Sequence, residues 1–300
     1  MTALQPSPIA NLAELEDRFQ ESFRAGRPVG LVVIGYGEIS SVVRWDGRSG
    51  PVAAKRLPNY QTDSARAVHR DLMVEYIEAL GERGVNVLPT DFLEVGGPEG
   101  SSVLYTVQSL IPADCLAVDV LRGASPDEGE ALLRQIISLS AAVAGEPWLG
   151  LDVQLSNWVL VDEGLWYLDI STPFMRDLAT GLSRLETSVF VASLPWLLRW
   201  PVQRFMAEDI VAEYFDLRTT VINAIANLRK ERLDEWMERA IGLANEVVDE
   251  AITLEEVNRY YKKDQRLWAV LQWLRRADRW WQLRVRRRPY PVLLPGRIDR

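Results

Sequence analysis

The chain has 300 residues, 48% of them apolar and 25% charged, with a formal net charge of −8. That is ample for more than one sizeable core. One cysteine (Cys115) and one histidine (His69) exclude an intrachain disulfide and a Cys/His zinc cluster, give no good Ser/His/Asp case because His69 is far in sequence from any candidate nucleophile, and point to a reducing, cytoplasmic setting.

Residues Met1 to Ala10 lack a basic stretch followed by an apolar core, so no secretory signal is expected. Leu12, Leu15, Phe19 and Phe23 recur at helical spacing and predict an N-terminal helix over residues 9–24, within a segment 1–28. Two apolar, β-branched runs then flank Gly35 and Gly37, which reads as strand, glycine turn, strand. Glycines in such a turn let the backbone approach phosphate oxygens with no Cβ in the way. Val52 to Leu57 is a short apolar strand carrying Lys55, one of only four lysines. A compact ammonium on a flexible stem suits phosphate contact, although an edge-strand lysine with its head in water is the plainer alternative. A helix is predicted from Ser64 to Leu80, with Leu72, Met73, Ile77 and Leu80 on its apolar face. Glu75, or Glu78 one turn later, could hold Lys55, and His69 is expected on this helix's surface.

Residues 29–110 therefore read as a mostly β unit with one helix, and residues 111–261 as mainly helical. Ser125-Pro126-Asp127-Glu128 is a helix start, with a capping Ser, Pro at the first helical position and Glu at the third. That helix delivers the chain into Gly150-Leu151-Asp152, with Asn157 five residues after the Asp and Asp169 twelve after the Asn. Trp158 to Leu168 predicts a hairpin turning at Glu163-Gly164, which sets Asn157 beside Asp169. An Asp to orient an acceptor hydroxyl, and an Asn and an Asp to hold magnesium on ATP, is the set that phosphoryl transfer uses.

The apolar stretch Val189 to Leu198 is too short to span a bilayer, so it is expected to be a buried segment. Ile210, Val211, Tyr214 and Phe215 mark another amphipathic stretch, and Thr253 to Glu256 opens a helix running toward Trp273. Residues 262–300 carry twelve Lys/Arg against three Asp, a net of +9, which leaves −17 on residues 1–261. The leading expectation is that this tail packs on the acidic body with Trp268, Trp273, Trp280 and Trp281 largely buried. An anionic partner is the second reading, and nucleic acid or a membrane surface the third; the acidic total argues against nucleic acid as the main partner.

Glycine hairpin, strand lysine, helical glutamate, Asp-x4-Asn and a following Asp occur in one order. Over residues 25–175 the chain resembles the protein-kinase-like superfamily, in particular its aminoglycoside-phosphotransferase-like branch. The resemblance implies an α+β, two-lobed fold with a small β-rich N-lobe and a larger helical C-lobe. It implies ATP and magnesium as cofactors. Asp152 would be the catalytic Asp, Lys55 the phosphate lysine and Glu75 its helical partner. Asn157 and Asp169 would hold the metal, and Gly35 and Gly37 would form the phosphate-covering loop. Val103 to Gln108 would lead into a hinge, with backbone from Gln108 to Leu110 facing adenine. Four positions depart from the pattern: Gly150 stands where a His is usual, Gln154 where a Lys or His is usual, Ser40 replaces a third glycine, and Asp169 is followed by Ile170-Ser171. The functional expectation is an ATP- and magnesium-dependent phosphotransferase acting on a hydroxyl of a small molecule or short peptide. The alternatives are a kinase-shaped module that binds without efficient transfer, and nucleotidyl transfer or an interaction role on the same scaffold.

Overall fold

Asn11 opens the first helix, α1 (Leu12–Ala25), its side chain accepting from the Glu14 amide. Gly26 closes it in the left-handed region at φ 66°, where a side chain would be strained. Its buried positions Leu15, Phe19 and Phe23 recur every four residues and form one face. That face packs on a sheet. The computed structural model describes residues 4–37, 40–185 and 212–295.

The sheet contains β1 (Val32–Tyr36), β2 (Ser41–Gly47), β3 (Gly50–Arg56), β4 (Thr90–Gly96) and β5 (Ser102–Ser109). All neighbours are antiparallel and the spatial order is β1-β2-β3-β5-β4. The crossing between β3 and β4 is made by α2 (Asp63–Glu82), capped by Thr62. Period-two alternation sends Val52, Ala54 and Arg56 of β3 to the α1 side, where Val52 and Ala54 join Leu15, Phe19, Phe23 and Tyr105 in one apolar cluster. Lys55, between them, faces the other way.

A second, larger cluster takes in α2 residues Leu72, Met73, Tyr76 and Leu80 and continues into the helical half of the chain. That half holds α3 (Ala117–Gly123), α4 (Pro126–Ala144), the hairpin β6 (Trp158–Val161) and β7 (Gly164–Tyr167), α5 (Leu217–Lys230), α6 (Met237–Ala244) and α7 (Leu254–Arg284). The fold is thus α+β. The capping box at Ser125 and Glu128 forms as expected, with Pro126 in the first turn. The loop after α2 lies along β7: Leu88 N donates to Tyr167 O at 2.9 Å, and Tyr167 N to Asn86 O at 2.7 Å. This seam fixes the hairpin against the sheet side of the molecule.

Three expectations are corrected. The β6–β7 turn is centred on Asp162 and Glu163, at φ 50° and 63°, because Val161 pairs with Gly164 and the glycine already belongs to β7. His69 is not on a helix surface. It is buried, with Nδ1 2.6 Å from the Tyr60 hydroxyl, because it shares the inward stripe of α2 with Met73 and Tyr76. Helix α7 runs well past Trp273, for 31 residues. Its tryptophans are not largely buried: Trp273 and Trp280 are 68% and 60% exposed. What does pack back on the body is the segment beyond the helix, where Tyr290 N donates to Phe23 O and Leu293 enters the α1 cluster.

Val189 to Leu198, Ile210 and Val211 lie outside the described residues; Tyr214 and Phe215 fall in a short 3-10 turn, Glu213–Phe215. Among the described residues no helix is long and apolar enough to cross a membrane.

Candidate active site

Lys55 projects from β3 on the face opposite α1. Its Nζ lies 2.7 Å from Asp169 Oδ1 and donates to Ser171 Oγ at 3.1 Å. Two groups 114 positions apart in sequence thus meet at one point. Asp169 follows β7 by two residues and closes an Asx turn: its Oδ1 accepts from Ser171 N at 3.0 Å and from Ser171 Oγ at 2.6 Å. Burial would raise this carboxyl's pKa, but the Lys55 ammonium and the two Ser171 hydrogen bonds outweigh it and hold it below the ordinary range. Asp169 is ionised at neutral pH. Among the described residues Oδ2 makes no hydrogen bond.

Asn157 ties the loop carrying Asp152 to this point. Its Nδ2 donates to Asp152 O at 3.2 Å, and its own carbonyl accepts from Leu168 N at 2.8 Å. Asp152 accepts the Gln154 amide on Oδ1 at 3.2 Å. Asp152, Asn157 and Asp169 are each half-buried, so all three reach solvent from one wall. Gln108, at the end of β5, bridges the sheet to this wall: Nε2 donates to Leu168 O at 3.0 Å and to Thr90 Oγ1 at 2.9 Å. Leu110 follows directly after β5 and is half-buried.

The glycine turn shares a row with the lysine. Gly35 pairs with Val42, and Val42 pairs with Lys55 in register, so Gly35 stands two strands from Lys55, roughly 10 Å away. Gly37 N donates to Ser40 O at 3.0 Å, closing the turn.

Glu75 goes elsewhere. It makes a bidentate pair with Arg184, at 2.5 and 2.6 Å, rather than holding Lys55. The cause is geometric: Lys55 is already engaged by Asp169, and Glu75 is about half exposed on the outer side of α2. Arg184 hydrogen bonding lowers the Glu75 pKa, against a smaller opposing effect of burial.

Gly150, where the resemblance implies a histidine, is set by packing. A Cβ there would stand 2.7 Å from Tyr214 O and 3.1 Å from Phe174 Cβ. The Phe174 and Tyr214 rings stack at 4.1 Å just behind it. Tyr76 donates to Gly150 O at 2.9 Å and so fixes the approach to Asp152. Burial, then the charges of Asp152 and Asp169, push the Tyr76 phenol well above its ordinary pKa, so it remains a hydrogen-bond donor. Ser171, Arg184 and Tyr76 are the residues sequence reasoning missed. Only Ser171 has a local signal, the Asp-x-Ser spacing of an Asx turn.

Residues 14–279 match a family of unknown function, DUF6206, and the chain belongs to that family. None of the curated proteins compared with the chain is a match.

Proposed function

We propose that the protein is an ATP- and magnesium-dependent phosphotransferase acting on a hydroxyl of a small molecule or short peptide, on a two-lobed kinase-like fold. One observation carries the reading: the Lys55–Asp169 contact at 2.7 Å, with Asn157 and Asp152 tied into the same wall. It brings together, from distant parts of the chain, the groups phosphoryl transfer requires. The strand order β1-β2-β3-β5-β4, with α2 between β3 and β4, supports the small lobe of that fold.

The donor set fits the implied cofactors. Asp169 offers an ionised carboxylate with Oδ2 not hydrogen-bonded among the described residues, and Asn157 offers an amide oxygen, both hard ligands suited to magnesium. Bound magnesium would neutralise phosphate charge. Lys55 would exchange its contact with Asp169 for phosphate oxygens, the glycine turn at Gly35 and Gly37 would close over them, and backbone near Gln108 and Leu110 would face the base. Asp152 would orient the acceptor hydroxyl and take its proton. With one cysteine, the proposed setting is the reducing cytoplasm.

A second reading, a module that binds nucleotide or a partner without efficient transfer, is favoured by one observation. The Glu75–Arg184 pair leaves Lys55 without its helical partner. Label transfer separates the two. With γ-labelled ATP and a panel of hydroxylated amines and Ser/Thr peptides, label should reach an acceptor in wild type and not in Asp152→Ala, which should still bind nucleotide. Binding without transfer in wild type would favour the second reading. Transfer from α-labelled ATP would replace both with nucleotidyl transfer.

A further inference from the structure

The second half of α7 has its polarity reversed. Its buried positions are Gln272, Arg275 and Asp278, three residues apart on one face. From Leu267 to Trp281 the exposed positions are Leu267, Ala269, Val270, Trp273, Ala277, Trp280 and Trp281, all apolar, and the five larger ones are 45–68% exposed. A helix on a water-soluble body normally shows the opposite arrangement. Side chains of this kind along about 21 Å of one face, from Leu267 to Trp281, are therefore a contact surface.

We propose that this face docks on the surface of a bilayer containing anionic lipid. Three observations select that occupant. Indoles concentrate where an apolar body meets a hydrated edge, and three of the exposed side chains are indoles. Exposed cations stand at both ends of the stripe, Lys262, Lys263 and Arg266 before it and Arg284 and Arg286 to Arg288 after it. That is the pattern of a helix lying in the interface plane with its cations on anionic headgroups. Finally, residues 1–261 carry −17 against +9 on the tail, so an anionic surface repels the body and attracts only this end, which sets the orientation. A second copy is a poor occupant. Whether two such helices paired parallel or antiparallel, cations would face cations at each end. A phosphate backbone is also poorly matched, since the middle of the stripe is aliphatic and indole rather than cationic.

The test uses the full chain and vesicles of phosphatidylcholine with or without phosphatidylserine. Sedimentation should show binding to the phosphatidylserine vesicles roughly tenfold tighter than to phosphatidylcholine alone, weakening as salt rises. Brominated lipid should quench wild-type tryptophan emission, a readout that needs no variant. Trp273→Glu and Trp280→Glu should each cut binding about tenfold while leaving the melting temperature unchanged, since both side chains are mostly in water. Absence of quenching, equal binding to both vesicle types, or wild-type binding by both variants would overturn the proposal. So would a dimer in gel filtration that Trp273→Glu splits, or single-stranded RNA bound more tightly than the vesicles.

Discussion

Lys55 and Arg56 are neighbours on one strand, and their ion pairs differ in kind. Arg56 faces α1 and is 3% exposed. It gives Glu16 two hydrogen bonds, at 2.7 and 2.8 Å, and donates to Leu57 O and Asn59 Oδ1, with its guanidinium 5.0 Å from the Phe23 ring centre. Tyr105 and Gln20 complete the Glu16 carboxylate. Every strong group in that set is matched. Lys55, one pleat on, faces the opposite side and meets Asp169 with the side chains 15% and 33% exposed. Ser171 is the other partner the two share. The first pair is closed and holds α1 to the sheet. The second is open and can exchange partners, which is what a ligand site needs.

The largest effect should come from breaking the closed pair. Arg56→Ala leaves the Glu16 carboxylate buried against the sheet and should cost about 3–5 kcal/mol of stability in denaturant unfolding. Asp169→Asn, by contrast, should cost less, about 1–3 kcal/mol, because its pair is partly solvated and the amide oxygen can still accept from Ser171. A loss as large as that of Arg56→Ala would make the Lys55 pair structural and end the distinction. On the functional side, Asp152→Ala should lower transfer by about a hundredfold or more with nucleotide binding kept.

Acid sharpens the contrast. Both carboxyls titrate low in the folded state. Burial opposes this in each, and is outweighed by Arg56, Tyr105 and Gln20 at Glu16 and by Lys55 and Ser171 at Asp169. A depressed pKa adds stability above the ordinary value and gives it up as pH falls through the folded one. Stability should therefore fall below the ordinary 4.5 of Glu16 and the ordinary 3.8 of Asp169. Urea unfolding from about pH 6 to 3 should show a shallower acid limb in Glu16→Gln, and a smaller change in Asp169→Asn. The smallest effect belongs to Glu75→Ala. Its pair with Arg184 is about half exposed, so the melting temperature should hardly move. Transfer should also persist if Lys55 does not depend on Glu75; a collapse of activity would mean that Glu75 leaves Arg184 and reaches Lys55 during turnover.

Local rules made much of this fold legible. Ser125 and Thr253 cap helices where the sequence places them, and apolar periodicity gives α1 and α2 within a few residues. The Asp152, Asn157 and Asp169 spacing is also local, since one hairpin connects them. What the sequence did not disclose is long-range. Glu75 and Arg184 are 109 residues apart, and nothing near either signals the other. Gly164 draws the expected turn one residue too far along the chain, whereas two non-glycine residues, Asp162 and Glu163, take the positive φ values. Residue type misleads in opposite directions at His69 and at the α7 tryptophans. The polar one is buried because Tyr60 supplies a partner, and three apolar ones are exposed on a helix whose inward face is polar.

The most direct measurement is the melting temperature with ATP and magnesium for wild type, Asp169→Asn and Glu16→Gln. A nucleotide at about a hundred times its dissociation constant stabilises the fold by roughly 2.7 kcal/mol. A magnesium-dependent rise is expected in wild type and in Glu16→Gln, whose starting point is lower, and is expected to vanish in Asp169→Asn. An equal rise in Asp169→Asn, or none in wild type, would contradict a nucleotide site at the Lys55–Asp169 pair.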